Sequence, residues 1–300
     1  MGLQLPKRAA APLRRLTSAT VLGLAVLFLA ACSAEDKAQI KRLAMPDPAT
    51  EQGPYTFELW KWSWVAAMVV GVLVWGLIFY VVVRFRRRND NEIPVQTRYN
   101  LPLEVFYTIA PILMVIVFFD ATIHAQNKML EMKDNPDVTV EVTGQQWSWT
   151  FNHGLGTPNS DPDPIKKQYA YDEYAYTVGT ASQIPTLVLP VDKTVQFNLY
   201  SPDVIHSFGV DAFLMKMDVV PGRINAFQVT PTREGVYAGK CFELCGTYHS
   251  RMLFNVEVVS AAEYEQYLKT LETSEKPLIG GDEVYRQAGL EDEHAEGGHE

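Results

Sequence analysis

Two kinds of apolar pattern divide this 300-residue chain. From Trp62 to Val83 the residues are apolar apart from Ser63, and a second apolar run goes from Leu103 to about Ala125. About 22 residues at 1.5 Å rise reach roughly 33 Å as a helix, enough to cross a bilayer. Trp60, Trp62 and Trp64 stand where an interfacial aromatic belt belongs. Arg84, Arg86, Arg87, Arg88 and Arg98 make 84–102 the basic loop, which predicts that it lies in the cytoplasm. Segment 32–61 and everything after Gln126 are then outside. Beyond Pro136 the pattern becomes alternation: Val138, Val140 and Val142, then Trp147, Trp149 and Phe151, later Val195, Phe197 and Leu199, and finally Phe254, Val256 and Val258. Period two with branched and aromatic residues predicts strands, and several short strands over 136–260 predict a sandwich or barrel. The expectation is an α+β membrane protein, a two-helix transmembrane hairpin (62–83 and 103–125) followed by an all-β domain.

Stretch 153–185 breaks this alternation. It is rich in Gly, Pro, Asp and Tyr and reads as a long surface insertion, with His153 among loop formers. It is either a tolerated loop or, because tyrosine suits interfaces, a contact for a partner. After Ser260 the spacing in AAEYEQYLKTLE predicts a closing helix, and the rest of 261–300 ends in an acidic tail expected to be flexible.

The amino terminus changes the picture of where the domain works. Lys7, Arg8, Arg14 and Arg15 precede an apolar run from Val21 to Ala31 that is too short to span, the layout of an export signal over 1–31. Leu29-Ala30-Ala31-Cys32 resembles a bacterial lipoprotein processing site, which predicts cleavage before Cys32 and lipid on its sulfur; the plainer alternative is ordinary cleavage with a free thiol. Export of the amino terminus agrees with the topology drawn from the basic loop. The formal charge is −9, and losing those basic residues makes the chain more acidic still. Such a balance disfavours nucleic acid and favours a cationic partner.

The chemistry concentrates in Cys241 to Met252, reading CFELCGTYHSRM. Two thiols, an imidazole and a thioether are soft ligands suited to copper or zinc, and His206 in SPDVIHSF is the best further donor. A tetrahedral zinc would use Cys241, Cys245, His249 and His206 and leave Met252 idle. A mononuclear blue-copper site would leave one cysteine spare. Two coppers sharing both sulfurs use every donor, with Met252 weakly bound on one and a loop carbonyl, that of Glu243, on the other. A small disulfide between the cysteines is the remaining alternative in an oxidising compartment.

The pattern C-x-E-x-C-G-x-x-H-x-x-M, preceded by DVIHSF and PGR, resembles subunit 2 of cytochrome c oxidase, the subunit with a binuclear CuA-type copper centre. The insertion points to the actinobacterial kind. The resemblance covers the chain from the membrane spans to about residue 270, and its copper motif is highly specific. It implies a cupredoxin-type Greek-key barrel over 136–260, two copper ions held by His206, Cys241, Glu243, Cys245, His249 and Met252, and a magnesium ion shared with the catalytic subunit through the Glu243 side chain. It also implies electron uptake at an exposed Trp147, with His249 as outlet toward the first haem. Glu104, in a string similar to E-x-x-W-T-x-x-P, takes the place of a glutamate at the mouth of a proton path. A favourable charge near a helix amino terminus is the ordinary alternative for it. Tyr107 replaces a tryptophan there, and Gln145 and Ser148 depart from the common GHQWYW string.

The implied activity is that of a proton-translocating cytochrome c oxidase, in which this chain takes electrons from a c-type cytochrome and oxygen is reduced elsewhere. Implied partners are the haem-bearing subunit 1, subunit 3, membrane lipid of the bacterial cell membrane, and a donor cytochrome that is diffusing or tethered. Rival classes are a membrane copper chaperone, which would need its histidine after a cysteine pair that opens a helix, a copper-free quinol oxidase subunit and a structural zinc lipoprotein.

Overall fold

The structure, a computed structural model, describes residues 33–88, 93, 95–158, 169–180 and 182–278. Cys32, the export signal and part of the insertion therefore lie outside the described residues. The chain divides after Pro46 into two units. In the first, helix α1 (Ala34–Lys41) starts from Ser33, whose hydroxyl accepts from Asp36 N while Asp36 reaches back to the Ser33 backbone. This reciprocal cap satisfies two otherwise orphaned amides.

The second unit carries two long helices, α2 (Gly53–Arg84) and α3 (Leu101–Met129), both long and apolar enough to cross a membrane. Each outruns its apolar segment. The 32 residues of α2 extend about 48 Å against a hydrocarbon core of about 30 Å. Its early start is fixed by the chain before it: Glu51 N donates to Thr230 O, Gln52 Oε1 accepts from Thr230 N, and Gly53 N donates to Thr50 Oγ1. Residues 49–52 are thus part of the β domain. At the other end of the hairpin, Asn100 caps α3 by accepting from Leu103 N at 3.3 Å.

The β domain is a sandwich of two facing sheets. One has the order β11-β3-β2-β1-β5-β8, from β1 (Val138–Gln145), β2 (Ser148–Gly154), β3 (Tyr174–Val178), β5 (Val195–Tyr200), β8 (Asn225–Val229) and β11 (Glu272–Ser274). The other has the order β4-β10-β9-β6-β7, from β4 (Thr186–Pro190), β6 (His206–Val210), β7 (Met215–Val219), β9 (Gly235–Cys241) and β10 (Leu253–Val259). Helix α4 (Ala261–Leu268) follows β10. The alternating residues face inward as a layer of aromatic rings: Trp149, Phe151, Phe197, Phe208, Phe227 and Phe254 are all buried. Phe208 and Phe254 stack at 4.8 Å with planes 10° apart. Each such ring contributes about 1.5–3 kcal/mol on burial, so this layer fixes the end of the sandwich where β6, β9 and β10 meet.

One reading of 153–185 needs correction. His153 is not a loop residue: β2 runs on through it to Gly154, it is fully buried, and its Nδ1 lies 2.9 Å from the Tyr264 hydroxyl of α4. Three tyrosines of the same stretch pack inward. Tyr169, Tyr171 and Tyr174 form a buried cluster of their own, and the Tyr171 hydroxyl donates to Thr139 Oγ1 of β1 at 3.1 Å. Alternation was hard to see here because β3 is only five residues long and packs by its phenols.

Candidate metal centre

His206 opens β6, Cys241 closes β9, and Met252 immediately precedes β10. Pairing of β6 with β9, and of β9 with β10, brings these strand ends together although 35 residues separate the first two. The intervening loop is tied down by its backbone: Cys241 N donates to Met252 O and Phe242 N to Ser207 O, both at 3.0 Å. At Gly246 φ is +121°, and a Cβ there would lie 3.0 Å from Cζ2 of Trp147. Glycine permits both the turn and the close approach of the indole.

The donors converge as follows. Cys241 Sγ and Cys245 Sγ are 3.9 Å apart. His206 Nδ1 is 3.9 Å from Cys241 Sγ, and His249 Nδ1 is 3.5 Å from Cys245 Sγ. Met252 Sδ is 3.7 Å from Cys245 Sγ, and the Glu243 carbonyl oxygen is 3.2 Å from Cys241 Sγ. The ligand atoms of His206, Cys241 and Cys245 all lie within 4.8 Å of one another, and all three residues are buried. Both thiols are free, since a disulfide would need about 2.05 Å. Metal–thiolate bonds of about 2.3 Å let one ion touch sulfurs up to about 4.6 Å apart, so this pair fits a shared metal.

Asp203 orients the site. Its Oδ1 lies 2.9 Å from His206 Nε2, while Oδ2 accepts from Gln146 N at 2.7 Å and Oδ1 from Val204 N at 2.6 Å. With Nε2 so engaged, Nδ1 is the nitrogen turned to the sulfurs, the arrangement by which a carboxylate fixes a metal-binding imidazole. Burial pulls the His206 pKa down, but the hydrogen bonds to Asp203 and Cys241, with the charges of both, outweigh it and leave it raised. Burial likewise raises Cys241, yet its contact with His206 and backbone hydrogen bonds from Ser207 and Glu243 lower it on balance. Cys245, whose burial is reinforced by the charge and hydrogen bond of Cys241, is pushed up to about 12. The two shifts run in opposite directions because two thiolates in contact repel.

Trp147 is not where an exposed residue would be. It is 9% exposed, its Nε1 donates to Cys245 O at 3.2 Å, and the Tyr248 ring meets it edge-on at 4.9 Å. Gln146 Nε2 donates to the same carbonyl at 2.8 Å. The Gln146–Trp147 peptide is cis. The Glu243 side chain is exposed. Glu104 accepts from Asn100 N at 3.1 Å and so belongs to the cap of α3, remote in sequence and element from the cluster. The Asp203 brace was legible as D-x-x-H spacing only in outline, and the Gln146 and Tyr248 contacts carried no sequence signal.

A β-sandwich that buries a Cys–Cys–His cluster at one end and carries two helices fit to cross a membrane defines the class of candidate membrane protein with a soft-ligand site suited to a metal. Residues 138–259 match the family described as cytochrome C oxidase subunit II, periplasmic domain. The protein named probable cytochrome c oxidase subunit 2 in Streptomyces avermitilis is 47% identical over 280 residues, covering 86% of this chain and 87% of that protein. Cytochrome c oxidase subunit 2 of Mycobacterium bovis is 35% identical over 299 residues, covering 86% and 82%. The crystal structure of the periplasmic domain of subunit II of cytochrome oxidase of Bradyrhizobium japonicum is 27% identical with a TM-score of 0.37, covering 47% of this chain and 96% of that one. The chain belongs to the cytochrome c oxidase subunit 2 family, among relatives of actinobacterial origin.

Proposed function

We propose that this chain is the electron-uptake subunit of its oxidase, receiving one electron at a time from a c-type cytochrome and passing it to the haem of the catalytic subunit. The observation that carries this reading is the pair of free thiols 3.9 Å apart with one imidazole at each. Two copper ions sharing those sulfurs would supply a centre that gains and loses an electron with little movement of its ligands. His206, Cys241, Cys245, His249, Met252 and the Glu243 carbonyl would hold them, the donor set that a zinc or single-copper site would not exhaust. The chain's own part is rigidity and exclusion of water. Asp203 locks His206, the Trp149 indole donates to Met252 O at 3.4 Å, and Met252 is fully buried. Ligands so braced keep one geometry, which is what rapid electron transfer requires.

Trp147, bonded to the Cys245 carbonyl, is the proposed inward link, and His249, the half-buried ligand, the outlet toward the catalytic subunit. The exposed Glu243 carboxylate is free to hold magnesium at that interface. Glu104 is proposed at the mouth of a proton path in addition to its capping bond. The basic loop after α2 supports a multi-pass hairpin in the bacterial cell membrane with the β domain outside, and the string Leu29-Ala30-Ala31-Cys32 supports a lipid on Cys32. Metal analysis of the intact complex should give about two coppers per chain and a purple protein; a colourless protein with one zinc would reverse the assignment. Cys245→Ser should abolish the centre, while Glu104→Gln should slow proton-limited turnover and leave copper reduction normal.

A further inference from the structure

If electrons enter through Trp147, something must carry them to it, because the indole is only 9% exposed and turns its Nε1 inward. The half-buried Tyr248 ring meets it edge-on, ring centroids 4.9 Å apart and planes at 88°. Tyr248 is half-buried, and its hydroxyl makes no hydrogen bond among the described residues. A tyrosine used as a structural cross-link would anchor that hydroxyl; this one leaves it free. The Arg251 guanidinium lies 5.7 Å from the Tyr248 ring, is exposed, and forms no ion pair among the described residues. An aromatic ring with an unpaired cation beside it, one residue from the ligand His249, is the composition of a docking hot spot.

We infer that Tyr248 is the group touched by the haem edge of the donor c-type cytochrome, with Trp147 as the link behind it and Arg251 as the cation that orients the donor through a carboxylate such as a haem propionate. The inference rests on the electron-uptake reading above. One electron leaves the donor's ferrous haem, which becomes ferric, and reduces the sulfur-bound metal centre by one; no bond breaks and no proton moves. Tyr248 acts by contact and position, so the ring matters and the hydroxyl does not.

The test uses the intact oxidase complex purified with its donor cytochrome. Tyr248→Leu should slow reduction of the copper centre by the donor about tenfold, with copper content, visible spectrum and reduction by dithionite unchanged. Tyr248→Phe should rescue the rate to within about twofold of wild type, and Arg251→Gln should weaken its dependence on ionic strength. A second readout needs no activity: tetranitromethane should nitrate Tyr248 in complex stripped of donor and much less when donor is bound, scored by mass spectrometry of the peptide. This decides the matter even if Tyr248→Leu loses copper. A wild-type or faster rate in Tyr248→Leu, no nitration without donor, or equal nitration with it would overturn the inference. Trp147→Leu separates the claims: slow there but normal in Tyr248→Leu removes Tyr248 alone, normal rates in both remove the Trp147 route as well, and a wild-type centre that the donor does not reduce removes the uptake reading itself.

Discussion

An imidazole in a dry site binds metal well only when its second nitrogen is fixed, and Asp203 does this for His206 from three positions earlier in the chain. The carboxylate is held in turn by the amides of Gln146 and Val204, so the brace ties His206 to the β1–β2 turn. Asp203→Ala should therefore lower copper affinity about 10–100-fold, measured by competition with a chelator of known affinity, while the fold survives. Unchanged affinity would mean that packing alone orients His206.

Among the elements, β9 and β10 set the position of the cluster, since one ends at Cys241 and the other begins after Met252. Their close approach depends on Gly239, where a Cβ would lie 2.2 Å from Cε2 of Phe254. Phe254 is stacked on Phe208 and cannot swing aside. Gly239→Ala should destabilise the domain by about 1–3 kcal/mol or more by overpacking, read from chemical denaturation, and should loosen the candidate metal site with it. The described part of the insertion packs on the same sandwich: Tyr171→Ala removes a buried ring and the bond to Thr139. Its expected outcome is a lower denaturation midpoint with donor turnover of the folded protein unchanged; a turnover defect at full stability would favour a docking role for the insertion.

Across the whole molecule, a chain of side-chain amides joins the end of α3 to the middle of the sheet. Lys133 N donates to Gln228 Oε1 at 2.7 Å, Gln228 Nε2 to Gln196 Oε1 at 3.0 Å, Gln196 Nε2 to Asn198 Oδ1 at 3.0 Å, and Asn198 Nδ2 to Glu141 Oε1 at 2.6 Å. These polar groups on the outer face of the sheet satisfy one another. Burial raises the Glu141 carboxyl from 4.5 to about 7, the bond from Asn198 opposing it in part. A carboxyl that holds its proton more tightly folded than unfolded stabilises the fold below its ordinary value, and that contribution is lost as pH rises from about 4.5 through 7. Glu141→Gln should flatten this fall, a change on the order of 3 kcal/mol across the window, measured as the thermal midpoint of the solubilised chain against pH. Identical slopes in the two proteins would exclude Glu141 as the source.

The sequence by itself determined the two apolar helices, the inward-facing residues of most strands, and the soft-ligand side chains of the candidate site, because period and ligand chemistry are local properties. Val140, Phe197 and Val256 declare their faces by alternation, and Cys241, Cys245, His249 and Met252 lie within one loop. What only the tertiary structure decided were distances between residues far apart in sequence. Strand pairing brings His206 to Cys241, puts His153 in the core against α4, folds the tyrosines of the insertion onto β1, and slides Tyr248 over Trp147. None of these follows from periodicity, since each depends on which strand ends meet and which side chain fills the space left between them.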